Sequence, residues 1–542
     1  MAPTQVRRKL LVSAFPMLFA ATFAVSCYMV TTTSIVAVPR DFPFGIIKIM
    51  PIQYWFALGS SLALFFAATL TQDKKCLWMA AILLVALVAG LSDLIYAYPR
   101  DLSTATAAGA ISRKGFFASA DNPYLNFPGS AILFSFLLIV TGTSPFQVIK
   151  AFGVVYNTIL LVFCFACFQR LGFKQTHAIL AALVVIFSFY MQGALIHSSL
   201  IGFIFYTAIF WLALSPYPNR ATNIFILTTF FLAVVIYHAF TPFAIVGAVG
   251  VMLFGWQLAD RMIRKIGLVR LQGCPPSMNR SIVISLLAIL VAYWSYIASA
   301  PFSWALRWLV TSDLLRTLHL FLSTALIGFA GTLYSGGYAS VARLYAPILS
   351  LGFAVYLYSS TDKRKLQLLL WLLGLACLVI ITVSGYVYEF FARVFAFSIL
   401  PLVYGIAKLF DSNRRLLRGV GLVILIVTIG LHLPTHYGQD SFQVLQDSTV
   451  KALQFYVTQA PFDASFGSSE QQYVYYVETL RSDNTRDSTG GSYFLMNYQA
   501  GSWILYLKGE EHLDTVSQEL DSSQYNALYS NGWSNIYLQN EP

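Results

Sequence analysis

The sequence predicts a polytopic α-helical membrane protein that carries a small α/β domain after its last membrane helix. Hydrophobic residues make up 58% of the 542 residues and charged residues only 11%, and the mean hydropathy is +0.68. Soluble globular proteins do not have this composition. Repeated apolar runs are each long enough to cross a hydrocarbon core of about 30 Å. Short basic clusters separate these runs, as is typical of cytoplasmic loops, so the net charge of +11 does not indicate a nucleic-acid partner.

The basic clusters predict the topology of the membrane part, residues 1–435. Lys and Arg concentrate in cytoplasmic loops, and the loop 259–280 is the most basic, so it is expected inside. The alternation of clusters gives about thirteen spans with the N-terminus inside and the C-terminus outside. The predicted spans are residues 10–30, 53–71, 77–97, 151–168, 178–193, 199–214, 222–237, 243–258, 281–298, 343–359, 366–384, 391–409 and 419–433.

The apolar run at residues 131–140 is predicted not to cross the membrane. Runs of this length are more often interfacial or re-entrant than spanning. If this run crossed, Arg170 and Lys174 would lie outside and every later basic cluster would be inverted. We therefore expect the run to stay on the outer side.

The composition changes at His436, after which Ser, Gln, Tyr and acidic residues are frequent. Short alternating runs at residues 472–477 and 503–507 predict strands, and Gly490-Gly491 predicts a turn. No cysteine follows Cys377, so this region has no disulfide. We expect residues 436–542 to form a compact extracytoplasmic α/β domain.

Ionisable residues concentrate in the first large outer loop, predicted at residues 98–130, and just before it. Such a concentration in so apolar a chain is costly unless it faces water. A carboxylate can act as general base toward a hydroxyl, and Arg and Lys can hold a phosphate. An ordinary polar loop is the alternative. The ionisable residues of this stretch are Asp93, Arg100, Asp101, Arg113, Lys114 and Asp121. A second outer loop is predicted at residues 301–342.

Two motifs in the first loop resemble the GT-C superfamily of polyprenyl-phosphate-dependent glycosyltransferases, in particular its multispanning archaeal members. They are Tyr98-Pro99-Arg100-Asp101 after a helix and Asn122-Pro123-Tyr124-Leu125-Asn126-Phe127-Pro128-Gly129 before the next one. Similar family features are His238-Ala239-Phe240-Thr241-Pro242 at a helix start and Glu389-Phe390-Phe391-Ala392-Arg393, which enters a late helix from an outer turn that ends at Glu389. The stretch 529–537 is similar to the closing strand pair of the family's outer domain.

This resemblance implies an inverting transferase that moves a sugar from a polyprenyl-phosphate donor to a glycan, lipid or protein acceptor at the outer face of the cell membrane. It implies that Asp101 is the catalytic base. Asp93 is a second catalytic candidate, because it is predicted in the last turn of a helix, where its charge opposes the dipole. A divalent cation such as Mg²⁺ or Mn²⁺ is a candidate cofactor. The expected substrate-binding residues are Arg100, Arg113, Lys114, Asp121, Asn122, Tyr124, His238, Glu389 and Arg393.

The sequence departs from the family pattern and leaves other interpretations open. Family members often carry a His shortly after the catalytic Asp, whereas residues 102–106 contain none. Asp101 could instead form a local ion pair, His238 could be a hydrogen-bonding residue at a helix entry, and Arg393 could reach toward lipid headgroups. The alternative functions are a transporter or flippase of lipid-linked glycans and a non-catalytic scaffold subunit of a cell-surface complex. The scarcity of charged residues in mid-helix argues against an ion-coupled transporter.

Overall fold

The fold is described by a computed structural model over residues 3–34, 49–71, 73–90, 94–95, 128–143, 145–188, 198–214, 220–238, 240–265, 280–298, 344–382, 387–437, 447–459, 464–468, 490–497, 525–530 and 534–539. Most of these residues lie in α-helices. Before residue 300 the helices are α1 (Pro3–Thr32), α2 (Ile52–Thr71), α3 (Lys74–Ala89), α4 (Gly129–Thr141), α5 (Pro145–Arg170), α6 (Gln175–Ser188), α7 (Ser198–Leu214), α8 (Arg220–Tyr237), α9 (Thr241–Lys265) and α10 (Arg280–Tyr296). After residue 300 they are α11 (Tyr345–Ser359), α12 (Lys365–Thr382), α13 (Val387–Phe410), α14 (Arg415–Tyr437) and α15 (Asp447–Gln459).

Five helices in the described residues are long and apolar enough to cross a membrane. The qualifying stretches are Ser13–Thr32, Ile52–Thr71, Lys150–Arg170, Thr241–Met262 and Arg415–Leu433. Eight shorter apolar helices of 10–17 residues accompany them. Large apolar side chains are exposed along these helices, for example Leu70 and Ile139, as suits contact with lipid. The chain is therefore a helical membrane protein.

Helices overlap the predicted spans in the described residues, but only five of them are long and apolar enough to cross a membrane, and several helix ends differ from the prediction. Helix α3 ends at Ala89, followed by the C-cap residue Gly90, and not near residue 97. Asp93 itself lies outside the described residues, so its place in the last turn of a helix stays a prediction. Helix α14 continues to Tyr437, past the composition change at His436.

Two other helices include polar residues that were predicted to lie in loops. Helix α9 continues to Lys265, so Asp260 and Arg261 belong to its last turns and not to the inner loop. Helix α13 begins at Val387, so Glu389 is helical and does not lie in an outer turn. Hydropathy marks where a chain leaves the hydrocarbon, but a helix can continue into the water-facing region, where its backbone remains hydrogen-bonded.

The centre of the bundle is α6, in which every residue from Ala178 to Ser188 is buried. Its start contacts the turn between α13 and α14, where His177 Nδ1 lies 3.0 Å from Asp411 Oδ1. Near its end, the carbonyl of Phe187 lies 3.1 Å from Nδ1 of His432 on α14. Helices α6 and α14 therefore run side by side in the same direction.

Four turns that were predicted to lie inside the cell meet at one end of the bundle. The turn before α3 lies near the end of α5, because Trp78 and Phe165 stack edge to face with ring centroids 4.6 Å apart. The turn after α5 contacts the turn between α11 and α12 through Leu171 and Arg364. The end of α13 joins them through Lys408 and Asp362. This arrangement agrees with the predicted alternation of helix directions; which membrane face this end occupies stays a prediction.

The polar cluster at this end consists of Asp362, Arg364, Tyr404 and Lys408. The Tyr404 hydroxyl donates to Asp362 Oδ2 at 2.9 Å, and the Lys408 ammonium lies 3.5 Å from the same oxygen. Arg364 Nη1 donates to the Tyr404 hydroxyl at 3.2 Å and to the carbonyl of Leu171 at 3.0 Å. The cluster thereby ties together α5, the α11–α12 turn and α13.

After residue 447 the described part of the chain contains α15 and four strands, β1 (Ala464–Ser468), β2 (Gly490–Asn497), β3 (Tyr525–Ser530) and β4 (Ser534–Gln539). They form one sheet of order β1-β2-β4-β3, in which only β1 and β2 are parallel. The predicted Gly490 turn is wrong, because both glycines lie in β2 and Gly490 pairs with Ala464 beside a register shift. The predicted strands at 472–477 and 503–507 lie outside the described residues.

Candidate functional site

Most residues of the predicted site lie outside the residues that the structure describes. They are Asp93, Arg100, Asp101, Arg113, Lys114, Asp121, Asn122 and Tyr124. The second predicted outer loop, residues 301–342, also lies outside them. The structure describes both borders of the first loop and the whole of His238. For Glu389 and Arg393 it describes the backbone.

The border that precedes the loop is held by Asn157 on α5. Its side-chain Nδ2 donates to the carbonyl of Ala89, the last residue of α3, at 2.8 Å. The same nitrogen donates to the carbonyl of Gly153 at 2.9 Å. Helix-terminal carbonyls lack partners within the helix, so this amide stabilises the end of α3 where the chain leaves toward Asp93. Gly90 packs so closely on Val154 that an added Cβ would lie 2.6 Å from its Cγ2.

The border that follows the loop is the Pro128-Gly129 turn at the start of α4. A Cβ at Gly129 would lie 2.7 Å from Cγ of Tyr237, so only glycine allows this approach. Tyr237 is the last residue of α8 and directly precedes His238. The end of the first loop therefore lies against the α8–α9 connection.

His238 is buried and forms hydrogen bonds at the start of α9. The Thr241 N–H donates to its Nδ1 at 3.1 Å, and the Thr241 hydroxyl lies 2.6 Å from the same nitrogen. Because Nδ1 accepts the backbone N–H, the neutral imidazole carries its proton on Nε2. These contacts show His238 satisfying a backbone N–H in the first turn of α9. They agree with the interpretation of His238 as a hydrogen-bonding residue at a helix entry, which the sequence left open as the alternative to substrate binding.

Helix α13 brings Glu389 and Arg393 toward the same region. Phe397, one turn after Arg393, lies against Phe240 with ring centroids 6.0 Å apart. Phe240 immediately precedes α9 and is two residues from His238. The N-terminal half of α13 thus packs beside the start of α9.

These contacts bring three segments to one end of the bundle, namely the border that follows the first loop, the start of α9 and the N-terminal half of α13. The polar cluster lies at the other end of α13. Nineteen residues separate Glu389 from Lys408, which is about 28 Å of α-helix. An acid-rich and Arg-rich loop beside a helix that carries Glu389 and Arg393 has the residue types for both proton abstraction and phosphate binding.

The described residues contain no group of three His, Cys, Asp or Glu side chains that could hold a metal ion. The acidic residues of the first loop, which are the candidate ligands for Mg²⁺ or Mn²⁺, lie outside them. The use of a divalent cation stays a prediction.

Asn157 was not predicted from the sequence as a functional residue. This residue is 2% exposed in the middle of an otherwise apolar stretch of α5. A lone polar residue within a membrane helix is a signal in its own right, because it needs an internal partner. The signal was present, but its partner, the carbonyl of Ala89, could not be identified without the packing of α3 on α5.

Comparison with known proteins does not assign a family. No protein-family model matches the sequence, and no curated protein is detectably similar to it.

Proposed function

We propose that the chain is a membrane glycosyltransferase that moves a sugar from a polyprenyl-phosphate donor to a glycan, lipid or protein hydroxyl at the outer membrane face. The observation that carries this proposal is the meeting of the three segments at one end of the bundle. The end of the loop with Asp101 and the half of α13 with Arg393 reach the same side, through Gly129–Tyr237 and Phe240–Phe397.

The proposed membrane part has thirteen spans, and the five long helices support it most strongly. The other eight proposed spans are α3 and seven of the shorter apolar helices, because α4 is not counted as a span. The polar cluster and the α3–α5 contact support alternating directions for the helices that they join. Residues 436–542 are proposed as the outer α/β domain, supported by helix α15 and the four-stranded sheet. The outer location rests on the distribution of Lys and Arg.

In the proposed reaction Asp101 accepts the proton of the acceptor hydroxyl. The hydroxyl oxygen attacks the anomeric carbon of the donor, and the bond from that carbon to the phosphate oxygen breaks. The electron pair leaves with the polyprenyl phosphate, and the configuration at the carbon is inverted. Arg393, with Arg113 or Lys114, binds the phosphate, while Asp121 or Glu389 positions the sugar or a metal ion.

The test is sugar transfer by purified protein from a panel of polyprenyl-phosphate sugars, with Asp101→Asn as the key variant. Asn keeps the size of the side chain but cannot accept the proton, so we expect a loss of about 10²–10⁴-fold in rate. Asp411→Asn is the matched control, because it neutralises a carboxylate at the other end of the bundle. Its transfer rate should equal that of the wild type.

Arg393→Lys separates phosphate binding from chemistry. Lys retains the charge but lacks the planar fork that matches a phosphate, so the KM for the donor should rise more than kcat falls. Full transfer by Asp101→Asn would overturn the base assignment. A wild-type protein that transfers no sugar from any donor would favour the non-catalytic scaffold.

A further inference from the structure

Helix α13 contains a proline, Pro401, in its interior. Proline has no backbone N–H, so the carbonyl of Phe397, four residues earlier, lacks its usual helical donor. Within a membrane such a carbonyl must find a partner inside the protein. The proline divides α13 into an N-terminal half with Glu389 and Arg393 and a C-terminal half with Tyr404 and Lys408.

The missing donor is supplied by another helix. The hydroxyl of Tyr206 on α7 donates to the carbonyl of Phe397 at 2.7 Å. The indole Nε1 of Trp371 on α12 donates to the oxygen of Tyr206 at 2.8 Å. Tyr206 and Trp371 are fully buried, and Phe397 is nearly so. One chain of two hydrogen bonds therefore connects α12 and α7 to the break in α13.

Ring contacts hold the members of this chain in place. The rings of Tyr206 and Phe397 meet edge to face at 4.8 Å, and Trp371 meets Phe210 in the same way at 5.1 Å. Phe397 also contacts Phe240 beside the start of α9. The orientation of the Tyr206 hydroxyl is thus set by packing before it meets the Phe397 carbonyl.

We propose that Tyr206, oriented by Trp371, is a positioning residue that fixes the N-terminal half of α13 and so places Arg393 for the donor phosphate. The consequence for the donor rests on the proposed function, whereas the mechanical role of Tyr206 does not. Tyr206 acts through the backbone of Phe397 and not through contact with the reacting atoms. Without its hydroxyl, the carbonyl at the break has no donor from α7, and the half-helix beyond it is less firmly held.

This role predicts a specific rescue. Replacing Pro401 with Ala restores an N–H at position 401, which can donate to the Phe397 carbonyl within the helix. Pro401→Ala should therefore suppress the defect of Tyr206→Phe. A residue that serves only as core packing would not be rescued by a backbone donor.

The experiment compares Tyr206→Phe, Pro401→Ala and the double variant by hydrogen exchange of the backbone amides in 387–397 and by donor kinetics. Tyr156→Phe is the matched control, because Tyr156 also donates from a buried hydroxyl to a helical carbonyl, that of Leu200, at 2.9 Å. Residue 204 is Ile, so the Leu200 carbonyl keeps its own helical donor.

We expect Tyr206→Phe to raise the amide exchange rates in 387–397 about tenfold and the KM for the donor about tenfold, because one buried hydrogen bond is lost. The change in kcat should be smaller. The double variant should return both quantities toward the wild type, and Tyr156→Phe should leave both unchanged. If Tyr206→Phe does not fold, Trp371→Phe removes the donor to Tyr206 together with part of the buried ring, and should change the same amides in the same direction.

The proposal is overturned if the double variant exchanges as fast as Tyr206→Phe, or if neither Tyr206→Phe nor Trp371→Phe changes exchange in 387–397. Hydrogen exchange requires no substrate. A wild type without transfer activity would therefore remove the proposed function and still leave the role of Tyr206 decided by the exchange data.

Discussion

Asp362 is a single carboxylate that holds several helices together at the polar cluster. Its side chain is 13% exposed and accepts from Tyr404 while it pairs with Lys408. Burial acts to raise the pKa of this carboxyl, but the Arg364 backbone N–H, the Lys408 ammonium and the Tyr404 hydroxyl outweigh it and hold the pKa below its ordinary value. The charged form is therefore the one that the fold stabilises.

We expect Asp362→Asn to lower the free energy of unfolding by about 1–3 kcal/mol at neutral pH, because it leaves Lys408 without its carboxylate. Asp411→Asn is the control. Asp411 is 31% exposed and pairs with one His, so its loss should cost about 0–1 kcal/mol. Thermal unfolding of both purified variants in detergent measures the difference.

The same contact predicts a pH dependence. Because the folded pKa of Asp362 lies below the unfolded value of about 3.9, its contribution is complete above that value. It is lost as the pH falls through the lower folded pKa. The stability difference between the wild type and Asp362→Asn should therefore persist from neutral pH down to about 4, decrease below that pH, and vanish once the pH is below the folded pKa. A difference that is constant through the acid range would contradict the ion-pair account.

His238 can be assigned to one of two roles by a pair of substitutions. Asn at this position can still accept the Thr241 N–H, whereas Ala cannot. If the role is confined to the start of α9, His238→Asn should keep stability and transfer, and His238→Ala should lose about 0.5–2 kcal/mol. Loss of transfer with stability intact in His238→Asn would instead support substrate binding. Thermal unfolding and the transfer assay distinguish the two.

Individual residues could be predicted where their chemistry is local. The charged first loop is visible in the sequence because its acids and bases contrast with the apolar runs. The hydrogen bonding of His238 at the start of a helix could be predicted from its place shortly before Thr241. The roles of Asn157 and Tyr206 depend on carbonyls 68 and 191 residues away, so no local pattern contains them.

At the scale of elements, the positions of the helices were predictable and their ends were not. Apolar runs gave a helix at each predicted span, since a backbone in hydrocarbon must satisfy its own hydrogen bonds. Helix α3 ended early because Asn157 and Gly90 terminate it. Helices α9 and α13 extend beyond the apolar runs, because polar residues such as Asp260 and Glu389 are compatible with a helix at the water-facing surface.

Helix α4 carries the clearest prediction at this scale. It has 13 residues, or about 20 Å, which is shorter than a hydrocarbon core of about 30 Å. We expect both its ends on the outer side. A cysteine at Thr143, which is exposed just after the helix, should therefore react with an impermeant thiol reagent added to intact cells.

Two controls accompany this labelling, in a background without the six natural cysteines. A cysteine at Ser530 in the C-terminal sheet should also be labelled from outside, and one at exposed Asn413 before α14 should not. Labelling of Asn413 but not of Thr143 would show that α4 crosses the membrane or that the whole topology is inverted.

At the scale of the whole molecule, the predicted alternation of helix directions agrees with the packing, since four predicted inner turns lie at the end of the bundle that carries the polar cluster. The distribution of Lys and Arg made this alternation predictable, because it indicates the membrane side of each loop without knowledge of which helices pack together. The partners themselves, such as α6 at the centre, could not be predicted, because thirteen similar apolar runs carry little information about which helices touch.

The central claim is that the loop with Asp101 lies at the same end of the bundle as the start of α13. Spin labels at Ser103 and Tyr388 measure this distance directly, and a second pair at Ser103 and Asn413 is the reference. Helix α13 has 24 residues, so its ends are about 36 Å apart. We predict that the first distance is shorter than the second by at least half that length, about 18 Å. Equal distances, or a shorter distance to Asn413, would contradict the account.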